Sequence, residues 1–164
     1  MRNWGIVYLG NLVGSIATAI VMFISKQYTF SGGVVGVAAL NIANSKVNLE
    51  PLQAIALGIM CNALVCLAVW LCFSARSTSD KILAIIPPIT AFVACGFEHS
   101  VANMYFIPIA MMIKSYALPS FWELSAVTAS GLTAASLPDL NLYGFLVRNL
   151  LPVTIGNIIG GSVL

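Results

Sequence analysis

Residues 82–113 read ILAIIPPITAFVACGFEHSVANMYFIPIAMMI, an apolar stretch that contains a glutamate, a histidine and prolines. It is longer than the roughly 20 residues of a straight transmembrane helix. Ionisable side chains at membrane depth are costly and face a protein interior or a water-filled cavity. Non-helical backbone is tolerated there only where protein or such a cavity covers it. The stretch therefore predicts a broken helix with its break near Gly96, lining a pore or cavity.

The composition of the whole chain indicates a membrane environment. Of 164 residues, 60% are hydrophobic and 7% are charged, whereas soluble domains carry about 25% charged residues. The formal net charge is only +2 and there is no run of Lys and Arg, which argues against a nucleic-acid partner. We expect an all-α integral membrane protein surrounded by membrane lipid.

Hydropathy and length predict four transmembrane spans within one transmembrane channel domain, residues 1–164. Two shorter apolar segments are predicted to be re-entrant or interfacial, and the second of them could instead be a weak fifth span. The predicted spans are about 4–24, 52–73, 82–113 (broken) and 142–164, and the shorter segments are about 32–43 and 119–137.

Basic residues predict the orientation of these spans. Arg2 precedes the first span, and Arg76 and Lys81 lie in the short loop 74–81 between the second and third. Two crossings separate Arg2 from this loop, so both lie on the same side of the membrane. Short loops with an excess of Lys and Arg are cytoplasmic, which predicts a cytoplasmic loop 74–81.

The first and last spans share a motif. Residues 9–15 read LGNLVGS and residues 155–161 read IGNIIGG. A Gly-x-x-x-Gly step lets helix backbones approach closely but recurs by chance, whereas the shared Asn favours a true repeat. Three crossings separate the copies, so they would form an inverted repeat. We expect the third helix of one repeat followed by the whole of a second, with two spans preceding Met1 in a longer protein. Helix packing is assigned to Gly10, Gly14, Gly156 and Gly160, and hydrogen bonding across the pseudo-symmetry axis to Asn11 and Asn157.

Metal, redox and catalytic chemistry find no support in the residue pattern. The cysteines lie in apolar stretches and form no C-x-x-C pair, and His99 is the only histidine. A metal site needs three or four ligands, so we expect no metal and no cofactor. No nucleophile–base pair is evident either, and we expect no enzyme. Small buried apolar residues are the expected role of Cys61, Cys66, Cys72 and Cys95.

Three short strings carry a family resemblance: GFEHSVANM at 96–104, LPVTIGN at 151–157 and YLGN at 8–11. They resemble signatures of the formate/nitrite transporter family, most closely its formate channel branch, and the resemblance covers essentially the whole chain. It implies a homopentamer with one pore per protomer, an aquaporin-like six-helix layout and a bacterial inner-membrane location. It also implies passage of formate and related small monovalent anions, such as nitrite, hydrosulfide, acetate and lactate. The family's second broken helix, with its pore threonine, has no counterpart in this chain.

His99 is the central candidate for the pore. With a break near Gly96, it would lie in the first turn of the following half-helix, whose free N–H groups and partial positive charge favour anions. A neutral imidazole could hydrogen-bond an anion and a protonated one could attract it or pass it a proton. The alternative is a structural histidine. For Glu98, which would repel an anion, we expect compensation of the helix dipole or a buried hydrogen-bonding role.

Further pore residues follow from the resemblance. It implies that Asn62 lies near the central histidine, where its amide could also simply bond a neighbouring helix. It implies a cytoplasmic constriction at Val65 and a periplasmic one at Phe92, whose ordinary role would be packing. Lys46 in an outer loop could raise the local anion concentration or be a solvated loop lysine.

Two other functions remain open. A membrane-embedded enzyme or redox subunit would need a ligand cluster or a nucleophile that the sequence does not offer. A non-transporting assembly subunit, or an inactive truncated fragment of a channel, is the stronger alternative. The mass of the particle in detergent would distinguish it from a pentameric channel.

Overall fold

The computed structural model describes residues 2–162, and the regular elements in this range are helical, which confirms the all-α prediction. The α-helices are α1 (Arg2–Ile24), α2 (Val34–Val47), α3 (Pro51–Ser74), α4 (Thr78–Ala94), α5 (Ser100–Tyr116), α6 (Pro119–Trp122), α7 (Ser125–Ser130) and α8 (Leu151–Ser162). The 3₁₀ helices are Gln27–Thr29, Ser31–Gly33 and Ala134–Ser136, and a π-helix, Gly144–Leu150, precedes α8.

Helices α1 and α3 are the two described helices that are long and apolar enough to cross a membrane. Only 6% and 17% of their most apolar windows are buried in the protein, whereas an amphipathic helix of a soluble protein buries its apolar face. Trp70 and Phe73 on α3 are 73% and 80% exposed. Apolar surface of this extent needs lipid or another protein to cover it.

The other predicted segments are helical over somewhat different ranges. The predicted broken span 82–113 contains most of α4 and α5, and the predicted span 142–164 contains the π-helix and α8. Segment 32–43 contains the start of α2, which continues to Val47, and segment 119–137 contains the short helices α6 and α7. The course of each segment through the membrane stays a prediction.

The chain forms two compact units. The first comprises the residues up to Leu49 together with Val101–Asn149. Its core includes Tyr28, which stacks on Phe23 and meets the edge of Phe121, with ring centroids 5.3 and 5.2 Å apart. Burial raises the pKa of the Tyr28 phenol. A Cβ at Gly36 would lie 2.5 Å from the Phe121 ring, so glycine is what admits this aromatic cluster beside α2.

The second unit comprises Glu50–Ser100 together with the residues from Leu150 onward. Within it, α3 packs against α8 at glycines. A Cβ on Gly156 would overlap the carbonyl oxygen of Ile55, and a Cβ on Gly160 would overlap that of Ile59. Gly58 on α3 lies at the same contact, because a Cβ built on it would lie 3.2 Å from the Cα of Gly156. Without these side chains the two helix backbones touch directly.

Helix α4 begins with a reciprocal cap. The hydroxyl of Ser77 accepts from the backbone N–H of Asp80 at 3.1 Å, and the Asp80 carboxylate accepts from the N–H of Ser77 at 3.0 Å. This satisfies two of the N–H groups that a helix start leaves without partners. Hydrogen bonding to the Asp80 carboxylate from the Ser77 side chain and from the Ser77 backbone N–H favours its ionised form and therefore lowers the pKa of Asp80.

Candidate functional site

The predicted break near Gly96 is confirmed, and its geometry shows why the helix ends there. α4 ends at Ala94, and Gly96 has a φ of 67°, in the left-handed region that glycine adopts most easily. The N–H of Gly96 bonds the carbonyl of Val93 at 3.1 Å, and the N–H of Phe97 bonds that of Phe92 at 3.0 Å. This pair of bonds is a Schellman motif, which closes the C-terminal end of a helix.

The side chain of Asn157 on α8 hydrogen-bonds the backbone at the C-terminal side of the break. Its Oδ1 accepts from the backbone N–H of Ser100, the first residue of α5, at 2.9 Å. Its Nδ2 donates to the carbonyl oxygens of Gly58 on α3 and Glu98 in the break, each at 2.9 Å. The side chain is only 6% exposed, so each lost bond would leave a buried polar group without its partner.

His99 occupies the position immediately before α5 rather than its first turn. It is half-buried, and its ring centroid lies 6.1 Å from that of Phe92, with the two planes tilted by 35°. The N-terminal end of a helix carries partial positive charge. The imidazole therefore lies beside an aromatic ring and next to a helix end that favours anions.

Asn62 and Glu98 are engaged with helix backbone. The Nδ2 of Asn62 donates to the carbonyl oxygen of Asn157 at 2.6 Å, which corresponds to the interhelical alternative considered for this residue. Glu98 is 3% exposed, and its backbone N–H lies 3.4 Å from the carbonyl oxygen of Leu57. Burial agrees with a structural position for Glu98 rather than a pore lining. Val65 is a half-buried residue of α3.

The repeat motif has different surroundings in its two copies. Gly156 and Gly160 are packed against α3, but no other described residue lies within 4 Å of a Cβ built on Gly10 or Gly14. The packing assigned to Gly10 and Gly14 is therefore not made within the described chain, because an open groove runs along that face of α1. The groove encloses about 300 Å³ and is lined by Gly10, Asn11, Gly14, Ser15, Thr18 and Tyr105.

Asn11 and Asn157, which were expected to hydrogen-bond across a pseudo-symmetry axis, both donate to backbone carbonyl oxygens. Asn11 donates to the carbonyl oxygen of Val7 in its own helix at 2.9 Å. The Asn157 donors go to Gly58 and Glu98. Both N–H groups of the Asn157 amide therefore have an acceptor. The similarity of the two motif copies could not predict these acceptors.

Lys46 lies in the first unit, in the last turn of α2, so it is a helix residue and not a loop residue. It is half-buried, and its carbonyl oxygen accepts from the Nδ2 of Asn149 at 2.8 Å. A cation in the last turn offsets the negative end of the helix.

The cysteine expectation holds only in part. Cys61 is buried, but Cys66 and Cys95 are exposed and Cys72 is intermediate, so two of them face outward from this chain. Among residues 2–162, no group of three or more His, Cys, Asp or Glu side chains is arranged to hold a metal ion.

Two buried asparagines were not predicted from the sequence. Asn103 on α5 and Asn149 in the π-helix are fully buried, and the Nδ2 of Asn103 donates to the Oδ1 of Asn149 at 2.8 Å. The available signal was the presence of asparagine in apolar segments, because an amide placed there needs a partner.

Comparisons with known proteins agree with this architecture. The family model described as Formate/nitrite transporter matches residues 1–164. Formate channel FocA of Escherichia coli (strain K12) is 44% identical over 163 residues, which cover 99% of this chain and 55% of that relative. Formate channel FocB of the same strain is 43% identical over 167 residues, which cover 99% of this chain and 57% of that relative.

A solved structure described as "Pentameric formate channel with formate bound" matches with a TM-score of 0.92 at 50% identity, covering 99% of this chain and 62% of that one. The chain spans about half the length of the curated relatives it matches. These three relatives are named as channels and not as enzymes. Since the family model covers the whole sequence, this integral membrane protein belongs to the formate/nitrite transporter family.

Proposed function

We propose that this chain forms the histidine-containing part of a channel for formate and related small monovalent anions such as nitrite, hydrosulfide, acetate and lactate. The observation that carries the proposal is the position of His99, in a helix break, directly before α5 and against the Phe92 ring. The chain belongs to a family whose relatives include proteins named formate channels. A hydrogen-bonding group beside a helix N-terminus suits an anion of this size.

In the proposed mechanism, one set of residues attracts the anion to the pore and another lets it pass through. Lys46 and the positive end of α5 raise the local concentration of anions. Phe92 and Val65 form dry constrictions, where a bare charge is costly. His99 lowers that cost, either by donating a hydrogen bond to the anion or by protonating the weak acid so that it passes as a neutral molecule. Asn62 and Asn157 hold the backbone around His99 through their interhelical bonds.

Assembly and location are part of the same proposal. We propose a homopentamer with one pore per protomer, an aquaporin-like inverted repeat, and insertion in a bacterial inner membrane with loop 74–81 on the cytoplasmic side. The similar solved structure is described as pentameric. The exposed apolar surface of α1 and α3 supports contact with lipid or with neighbouring copies.

The main alternative is a membrane subunit that assembles without conducting anions. The open groove on α1 favours it, because a helix face with small residues and open space beside its glycines is available for assembly. The mass of the particle in detergent distinguishes the two functions only together with transport, since a non-conducting subunit could also be oligomeric.

Anion uptake into proteoliposomes tests the channel function. One preparation contains this chain, a second contains the Escherichia coli formate channel FocA, and a third contains a chimera in which this chain replaces the matching part of FocA. Formate, nitrite and chloride fluxes are compared at equal protein density. We expect formate flux well above chloride flux for the chain and the chimera.

The flux measured in the chain and in the chimera distinguishes the channel function from the assembly alternative. Formate flux in the chimera but not in the chain would support the assembly alternative for the chain as it stands. Absence of formate flux in both, with normal flux in FocA, would refute the formate assignment.

A further inference from the structure

A line of buried amides joins the end of α2 to the π-helix within the first unit. Asn149, near the end of the π-helix, is fully buried and donates from Nδ2 to the carbonyl oxygen of Lys46 at 2.8 Å. Its Oδ1 accepts from the Nδ2 of Asn103 on α5, also fully buried, at 2.8 Å. Both bonds join neutral groups, so neither titrates.

The carbonyl that Asn149 engages is one that a helix cannot satisfy by itself. Lys46 lies in the last turn of α2, where four carbonyl groups lack an intrahelical N–H partner. The Asn149 amide therefore acts as a C-terminal cap supplied from a distant part of the chain. A cap at this carbonyl fixes where the last turn ends, and so fixes the point from which the Lys46 side chain leaves the helix.

The π-helix makes this contact possible. Hydrogen bonds from i to i+5 widen the turn, so residues five apart, such as Gly144 and Asn149, lie closer to one face than they would in an α-helix. In an α-helix, at about 100° per residue, they would diverge by about 140°. Both face the end of α2, since a Cβ on Gly144 would lie 3.4 Å from the Val47 Cβ. Gly144 and the Asn149 amide therefore both lie beside the last turn of α2, and Asn149 makes the hydrogen bond to it.

We propose that Asn149 is a positioning residue for anion capture, which holds the last turn of α2 so that the Lys46 cation is presented to incoming anions. This role rests on the proposed channel function, in which Lys46 raises the local anion concentration. Asn149 touches no anion in this proposal. It acts through the Lys46 carbonyl, and Asn103 holds the Asn149 amide in the required rotamer.

A double-mutant cycle on transport tests the inference. The full chain, the Asn149→Ala and Lys46→Gln variants and the double variant are reconstituted in vesicles, and formate influx is measured against formate concentration at low ionic strength. We expect Asn149→Ala to raise the half-saturating concentration about three- to tenfold, the lower end of electrostatic focusing effects, with little change in maximal flux. In the Lys46→Gln background the same change should have no further effect.

Asn48→Ala is the matched control, because the exposed Asn48 amide bonds only to Asn44 near the same helix end. It should leave both transport parameters unchanged. If Asn149→Ala does not yield folded protein, Asn149→Leu, which is similar in shape, takes its place in the cycle. Additive effects of the two changes, or a fall in maximal flux at constant half-saturation, would show a merely structural role and overturn the inference.

Amide hydrogen exchange of residues 44–49 in the same vesicles separates this inference from the channel proposal. Faster exchange in Asn149→Ala than in Asn48→Ala is expected if Asn149 clamps the turn, and equal exchange would overturn the clamp. Absence of formate flux in both the parent chain and the FocA chimera would instead refute the channel function and the capture role with it, whatever the exchange measurement shows.

Discussion

The carboxamide oxygen of Asn157 accepts a hydrogen bond of 2.9 Å from the backbone N–H of Ser100, the residue at which α5 begins. The nitrogen of the same amide bonds the carbonyl oxygens of Gly58 and Glu98. A single neutral side chain on α8 therefore joins α3, the break and the start of α5. The amide does not titrate, so its own ability to make these bonds does not depend on pH.

Replacing Asn157 should destabilise the break more than replacing any other side-chain amide in the second unit. In Asn157→Ala, three backbone groups lose their partner, and each buried group left without one costs about 1–3 kcal/mol. We expect a loss of at least about 2 kcal/mol in unfolding free energy, measured by denaturant titration in detergent micelles. Hydrogen exchange at Ser100 should also accelerate. Asn11→Ala is the control, since the exposed Asn11 amide bonds only within α1, and an effect equal to that of Asn157→Ala would contradict the prediction.

The two copies of the repeat motif should respond oppositely to alanine. A Cβ on Gly160 would overlap the carbonyl oxygen of Ile59, and overpacking typically costs about 1–3 kcal/mol. Gly14 has open space instead, and alanine is favoured over glycine within a helix by about 0.5–1 kcal/mol. Thermal midpoints in micelles should therefore fall for Gly160→Ala and hold or rise for Gly14→Ala. A Gly160→Ala variant as stable as the parent would show that α3 and α8 do not touch there.

The break was predictable because several local signals agree at one place. Gly96 supplies the left-handed residue, and Glu98 and His99 are ionisable residues that a continuous lipid-facing helix would not carry. The family strings around them then pointed to the pore. Each of these signals lies within a few residues of the feature it predicts.

The parts that were missed depend on contacts distant in sequence. The bonds of Asn157 to Gly58 and Glu98 span more than fifty residues, and the repeat suggested a different partner. The π-helix has no distinct hydrophobic period, so the role of Asn149 could not be seen. The open groove beside Gly10 and Gly14 likewise depends on what packs there, which a Gly-x-x-x-Gly pattern does not specify.

The left-handed conformation of Gly96 predicts a transport defect with a matched control. Alanine in the left-handed region costs about 1–2 kcal/mol of conformational free energy. Gly131 has nearly the same φ as Gly96, 69° against 67°. At both positions a built Cβ would have no other described residue within 4 Å. Gly96→Ala and Gly131→Ala should therefore lose similar stability in micelles. Only Gly96→Ala should also lower formate flux in proteoliposomes, because it alters the break beside His99. Equal flux in the two variants would separate the break from conduction.

The α4 cap should make stability depend on pH in the acidic range. Hydrogen bonds from Ser77 lower the pKa of Asp80 in the folded protein. A lowered folded pKa means that the contribution is complete above the ordinary Asp pKa of about 3.9 and is lost as pH falls through the lower folded value. Ser77→Ala should thus reduce stability at pH 6, and the difference from the parent should shrink on acidification below about pH 4. Thermal midpoints in micelles across this range, with Ser74→Ala as the control, would measure it; a constant difference would refute the linkage.

His99→Ala should remove the pH dependence of weak-acid transport. Histidine is the side chain whose change of charge most often falls in the physiological pH range, so a protonating or hydrogen-bonding imidazole would make the flux depend on pH. Formate flux of the parent should vary across this range, and that of His99→Ala should be lower and flat. Chloride, which cannot be neutralised by a proton, should pass poorly in both. The Phe92→Leu variant, which removes only the neighbouring ring, should keep the pH profile while changing its amplitude, and an unchanged profile in His99→Ala would exclude His99 from the proton or hydrogen-bonding step.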